Sequence, residues 1–505
     1  MNSFKRKALT CAVLAGLGGI ATTAEAVYRN PDGTGMVLVY PYYTVNSSNG
    51  NAYNTYISVT NTTSQAKVTK VRFREGRTSA EVLDFNLYLS PNDVWVGALG
   101  PDTSAADSAA RLFGNFETSC TYPAIPAGGQ PFTNVAYTGT TIDALPGTGL
   151  DRTREGYVEI FDMATLLGTA ASNVTHTSIG VPPPNCSAMR IDLTTNATLF
   201  ALLTAPTGGL YGEATIINVA NGASVGYKAD ALASYTTGPY YADVSTANPQ
   251  LGGNAFPVSL VLSNNRAVTD TWVNPRDAVA AVFMHTSVMN DYILETGTRS
   301  NTDWVVTFPG KHEFFPSATP VAPYTAVMTT NGACEPALFT FFDRDEQSAN
   351  PPTTGFSPQQ PGAAPNTGTL CWESTVLSIR NGQAHTSAAD ISSTNQRSGV
   401  LGSRNVLAVS QTSPAFTSGW ITMTFTGTNA VAPVGIVSAG GFAMAAGGAV
   451  TAAPHRYFGL PVTGFMVTAR TNSSVACTLP GGGTGTCSGN YAGLFEHSYR
   501  TVITP

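Results

Sequence analysis

Residues 217–232 read INVANGASVGYKADAL. Within them Gly222, Ser224 and Gly226 match G-x-S-x-G, the pattern that sets a serine nucleophile on a sharp strand-to-helix turn. An acid and then a histidine must follow such a serine. Asp303 or Asp343 with His385, His455 or His497 satisfies that order, as a long chain readily does. The same stretch carries Asn221-Gly222, a two-residue hairpin signal, which would pair Ala220 with Ala223 and Val219 with Ser224. Cross-strand partners share a face, so this register lays Ser224 flat on a ribbon. Ser224 stays a candidate nucleophile, with a place on a hairpin the preferred reading.

Other chemistry-bearing residues are scattered. The histidines, His176, His285, His312, His385, His455 and His497, form no H-x-H or H-E-x-x-H. His312 and Glu313 are adjacent, and neighbours on a strand point to opposite faces. Asp343, Asp345 and Glu346 form an acidic cluster with the oxygen chemistry of a calcium site. Asn30, Asp32 and Thr34 make a second oxygen-rich turn. Neither has the spacing of an EF-hand loop, and a solvated turn is the preferred reading of both. Glu155, Glu159, Asp162 and Glu213 are acids from which a glycosidase pair could be drawn, but sequence fixes no separation between them. Tyr40, Tyr42, Tyr43, Tyr240 and Tyr241, with Trp95, Trp304, Trp372 and Trp420, can stack on sugars or anchor an interface. Filling an apolar core is the preferred reading for them.

The elements that carry these residues are strands. EVLDFNLYLS alternates Leu83, Phe85, Leu87 and Leu89 with Asp84, Asn86 and Tyr88, and KVTKVRFRE alternates Val71 and Phe73 with Lys70, Arg72 and Arg74. GMVLVYPYYTV, TYISVTN, GYVEIFDM, ATLFALLTA, EATIINVA, AVAAVFM, DWVVTFP, ALFTFFD, ESTVLSIR, GWITMTFTG and GFMVTART read the same way. Only SAADSAARLFGNF and YKADALASY suggest short helices. The pattern predicts an all-β protein of two or more immunoglobulin-like β-sandwich domains with long Pro/Gly/Thr-rich loops. The expected divisions are a signal peptide over 1–26, an N-terminal sandwich over 27–200 with a loop at 101–150, and a C-terminal sandwich region over 201–505. The stretch 347–368, QSANPPTTGFSPQQPGAAPNTG, reads as a linker or surface loop.

Lys5, Arg6 and Lys7, the apolar run from Ala8 to Ile20, and Ala24-Glu25-Ala26 have the form of an export signal cut before Val27. Cys11 lies too early in that run for a lipid-modified cysteine. The expected location is extracellular, cell-surface or periplasmic. Removal of residues 1–26 takes away three cations and Glu25, so the net charge moves from −6 to −8. That balance excludes a nucleic-acid partner, which needs a basic footprint. Charged residues make up 11% of the chain, against roughly a quarter in average proteins. A neutral, hydrogen-bonding surface suits self-association or contact with glycans. Residues 434–453 carry no charge and have the length of a span, but they are rich in glycine and alanine, and no transmembrane helix is expected.

Export makes disulfides available to Cys120, Cys186, Cys334, Cys371, Cys477 and Cys487. Fifteen pairings are open, and pairing of neighbours is the simplest. No C-x-x-C occurs, which disfavours thiol redox chemistry and zinc ribbons.

The series VYPYYTV, YISVTNTTSQAKVTKVRFREG, VLDFNLYLSPNDVWVGAL, EGYVEIFDM, INVANG, TDWVVTFP, FFDRDE and LCWE resembles a group of uncharacterised exported bacterial cell-surface proteins of no known activity. The resemblance implies export and a surface or extracellular life. It brings no active-site residues and no cofactor. The expected function is a structural or adhesive surface protein without enzymatic activity, with a secreted hydrolase or a glycan-binding module as the alternative.

Overall fold

A computed structural model describes residues 25–48, 51–102, 108–114, 117–345, 348–349, 367–381, 397–411, 416–425, 434–445, 450–470, 475–478, 481–487 and 489–505. Strand makes up 48% of the structure and helix 11%, so the class is all-β, with several separate sheets and no barrel. The period-two segments are the strands. Lys67–Glu75 and Glu155–Leu166 pair antiparallel at the centre of an eight-stranded sheet. Val37–Thr44 flanks this pair on one side and Glu81–Leu89 on the other. A six-stranded sheet centres on Asn54–Asn61, held between Val94–Pro101 and Leu210–Asn218. Leu38, Tyr40, Phe73, Val158 and Ile160 of the first sheet and Ile57, Val59, Trp95 and Ile216 of the second enclose one apolar core.

The second half repeats the arrangement with other strands. Glu335–Asp343, Ser418–Phe425 and Ser287–Ile293 are neighbours in one sheet. Asn301–Thr307 lies between Ser374–Asn381 and Thr463–Arg470 in another. Asn301–Thr307 is buried on both faces. Trp304 and Val306 pack with Phe339, Ile421 and Met423, while Val305 joins Val376 and Phe465 in the core begun by the N-terminal sheets. A strand covered on both faces reads as a continuous apolar run, which is how WVVTF appears in the sequence.

The expected division at residue 200 falls inside these sheets. Leu203–Thr204 and Asp230–Ala233 hydrogen-bond to Glu155–Leu166 and Val37–Thr44, and Leu210–Asn218 to Asn54–Asn61. Both large cores draw residues from either side of it.

The helix expectations also change. Ala110–Phe113 and Asp230–Ala233, within the two segments read as helical, are strands. AVAAVFM, read as a strand, lies mostly in the helix Pro275–Phe283, with Ala278 to Phe283 all buried. Periodicity cannot separate a short buried strand from a short buried helix. The deciding signal is just upstream: Asn274 at the cap position, Pro275 at the first turn and Asp277 after it. ATLFALLTA is likewise divided between the helical turn Ala197–Phe200 and the two-residue strand Leu203–Thr204.

Within the uncharged stretch 434–453 lie the strands Gly435–Val437, Gly440–Ala445 and Val450–Ala452. Among the described residues no helix is long and apolar enough to cross a membrane. Disulfides join Cys120 to Cys186 and Cys334 to Cys371. Cys477 is disulfide-bonded as well, while the side chain of Cys487 is outside the described set. Glu346 and most of 347–368 also lie outside the described residues.

Candidate functional site

Ser224 sits on an antiparallel hairpin. Leu210–Asn218 pairs with Ala223–Lys228, and the register sets Asn218 opposite Ala223 and Ile217 opposite Ser224. The expected partner Val219 is instead part of a four-residue loop, closed by the Gly222 N–H donating to the Val219 carbonyl at 3.1 Å. Gly222 takes φ +61°, the left-handed conformation that ends the loop. The Asn-Gly signal marked the hairpin, and the loop it closes is two residues longer than the minimal turn. Ser224 is exposed on a strand followed by a strand, where a nucleophile elbow needs a helix.

Two other serine, histidine and acid groupings come together. Asp270 is fully buried and accepts from Ser438 Oγ at 2.8 Å, His455 Nδ1 at 3.0 Å and Tyr457 OH at 2.6 Å. Ser90 Oγ donates to the Val174 carbonyl at 2.9 Å and lies 2.8 Å from His176 Nδ1, with Asp93 nearby. In the first the serine proton goes to the Asp270 carboxylate, and in the second serine and acid both face the same ring nitrogen, Nδ1. A triad requires the imidazole to take the serine proton on one ring nitrogen and to meet the acid through the other.

The acidic cluster forms a turn in which Asp343 Oδ1 accepts from the Asp345 N–H at 2.8 Å. Among the described residues no three or more His, Cys, Asp or Glu side chains are grouped to hold a metal ion. Most of the aromatics fill the interior: Tyr40, Tyr42, Tyr43, Trp95 and Trp304 are fully buried. Trp420 is 37% exposed and stacks on Phe342 with ring centroids 4.1 Å apart.

Of the acids proposed for a glycosidase pair, Glu213 is exposed on Leu210–Asn218 and accepts from Tyr211 OH, while Glu155, Glu159 and Asp162 belong to a different system. Every residue of Lys67–Glu75 and of Glu155–Leu166 is buried, cations and carboxylates included. Lys67 pairs with Asp162 at 2.8 Å, Lys70 with Asp84 at 2.9 Å, Arg72 with Glu81 at 2.8 Å and Arg74 with Glu159 at 2.6 Å. Each pair is formed with a residue diagonally across the ladder, within reach of long side chains. The remaining donors fasten a distant segment. Lys70 donates to the Asp243 carbonyl, Arg72 to the carbonyls of Asn248 and Pro249, and Arg74 to Gln250 Oε1. Residues 243–250 thus cover the charged face of the sheet. Glu155 does similar work for the second half, accepting from Tyr42 OH and from the backbone N–H groups of Arg404 and Asn405.

At the end of this charged row lies a cleft of about 250 Å³. Its walls come from the turn after Lys67–Glu75, from the 3₁₀ turns around Ala136 and Asp143, and from His312, Phe315 and Met328 of the second half. Ser79, at its edge, holds φ +61°, a strained conformation for a serine. Three hydrogen bonds fix it: Tyr157 OH donates to its Oγ, its Oγ donates to Glu373, and Arg74 donates to its carbonyl. Burial lifts the Glu373 carboxyl above the usual range, against the pull of the Lys311 ammonium. Burial pushes the neighbouring Glu313 carboxyl up to about 7, against the Gly252 N–H that it accepts at 2.7 Å. His312 is held well below the ordinary histidine value by burial, reinforced by Arg74 and Arg72. His312 and Glu313 are adjacent, on the 3₁₀ turn Lys311–Phe314 where a strand was the expectation, and the other residues share no motif. A second signal in the sequence is the density of cations in KVTKVRFRE, which alternation sets on the face opposite Val71 and Phe73.

No protein family, curated protein or solved structure matches this chain.

Proposed function

We propose that this is an exported structural or adhesive component of a bacterial cell surface, acting by assembly and contact and without catalysis. The observation that carries the reading is the placement of charge. A chain with only 11% charged residues puts Lys67, Lys70, Arg72, Arg74, Glu75, Arg152, Glu155, Glu159 and Asp162 inside. Its exterior is therefore poorer in charge than its composition. Like charges on a surface keep proteins apart in solution, and a surface short of them favours association. Internal ion pairs link neighbouring strands, and the Cys120–Cys186 and Cys334–Cys371 disulfides staple the fold further, which suits a protein that lives outside the cell. The immunoglobulin-like assignment belongs to the same proposal, since paired antiparallel sheets around an apolar core are the arrangement that fold uses.

Fractionation of producing cells with mass spectrometry, joined to sedimentation of the purified protein, tests it. The reading expects surface or culture-fluid fractions and self-association that weakens in Trp420→Ser. A cytoplasmic location, or a protein that stays monomeric and dispersed at physiological salt, would count against it.

A further inference from the structure

We propose that the cleft between Arg74, Asp143 and His312 is a binding site for a single neutral polyhydroxylated ring, a pyranose unit of a glycan or a free sugar. The argument is an inventory of its hydrogen-bonding groups. The cations around it are already engaged. Arg74 donates from Nε to Glu159, from one terminal nitrogen to the Ser79 carbonyl and from the other to Gln250 Oε1. Thr78 Oγ1 donates to Glu75 and accepts from Arg152. The groups left open are acceptors. Gln250 Oε1 can only accept, so His312, 3.2 Å away through Nε2, carries its proton there. Its Nδ1 is then an acceptor buried behind the cleft wall, out of reach of a ligand in the cleft. Asp143, whose carboxyl also meets the Thr78 side chain, lines the same cleft, as does Glu81, whose Oε2 meets Arg72.

The accessible acceptors of the cleft, Asp143 and Glu81, are met by a ligand that brings hydrogens. An anion brings only more acceptors. A hydroxylated ring brings donors on its rim and an apolar C–H face. The lining also supplies apolar surface for that face in Ile142, Phe315 and Met328. The volume is below the range typical of drug-sized ligands, which limits the occupant to about one ring. Ser79 and residues 247–250 are both held by Arg74, so the cleft is formed before a ligand arrives.

The site needs neither assembly nor a surface location, so its failure would leave the structural reading standing, and the reverse also holds. Saturation-transfer NMR and calorimetry on the full mature chain test it with methyl glucopyranoside, methyl galactopyranoside, N-acetylglucosamine and myo-inositol. Inorganic phosphate and ethanolamine serve as contrasts. At least one ring is expected to bind one-to-one with a Kd in the range of about 1 mM. Asp143→Asn and Ile142→Arg, both at partly exposed positions, should each weaken that binding by about tenfold or more without changing the melting temperature. Ser224→Ala should leave it unchanged. Binding of phosphate or ethanolamine alone, no binding of any ring at about 50 mM, or ring binding indifferent to both cleft variants would overturn the proposal.

Discussion

Arg74 and Glu159 meet at 2.6 Å with side chains 5% and 0% exposed. Removing one partner of such a pair leaves a buried charge with nothing to balance it, at a cost of about 3–5 kcal/mol. Glu159→Gln should therefore lower the unfolding free energy by about that amount in denaturant titration. Adding Arg74→Met to that variant should restore part of it, since the stranded charge is then gone. Acid and base titrate oppositely here. Glu313 has its folded pKa raised to about 7 by burial, so its stabilising effect is complete below the unfolded carboxyl value and is lost as pH rises through 7. Burial depresses His285 to about 3 and His497 to about 4, so their effect is present above the unfolded imidazole value and is lost as pH falls through 4 and then 3. From these groups alone, the two histidines outweigh the one carboxyl between about pH 4.5 and 6.5, so stability is expected to rise across that window and to level off near about pH 7. Thermal melts of Glu313→Gln should rise more steeply with pH over the same window. An unchanged slope would remove Glu313 as a contributor.

At the scale of elements, the hairpin separates backbone from side chain. An added Cβ at Gly222 meets nothing closer than the Asn490 Cβ at 3.8 Å, so space is not what demands glycine there. The positive φ does, and Gly222→Ala should cost about 1–2 kcal/mol. Ser224→Ala, on the exposed side of the same ribbon, should stay within about 0.5 kcal/mol of the parent. If the two variants cost the same, the loop geometry described for Gly222 is wrong. This hairpin also shows what sequence makes legible. Alternation located the strands, and Asn-Gly located the turn, because both are local properties of the backbone. The extra loop residues were not legible, since loop length depends on where the two strands stop pairing. The burial of the cation row of KVTKVRFRE was not legible for a related reason. Its cover, residues 243–250, lies more than 160 residues away in the chain, and no local pattern reports a lid that distant.

At the scale of the whole molecule, the same rule explains the shared cores. Val305, Val376 and Phe465 join the N-terminal sheets because one strand buries both faces, a contact that crosses the expected boundary without leaving a composition shift. The cleft inherits this property, since its walls come from both halves. Charge placement then makes the assembly reading answerable to salt. Surface electrostatics are screened over about 8 Å at physiological ionic strength and about 3 Å at 1 M. Association driven by pairing of opposite exposed charges would fall steeply across that range. Here many cations are consumed inside, and the chain carries net −6, or −8 without residues 1–26. Salt should then do little except relieve a mild mutual repulsion between copies. The association constant measured by sedimentation is expected to stay constant or rise between about 0.05 and 0.5 M salt. A fall of about tenfold or more over that range would mean that exposed charges hold the copies together, and the neutral-surface account of assembly would be wrong.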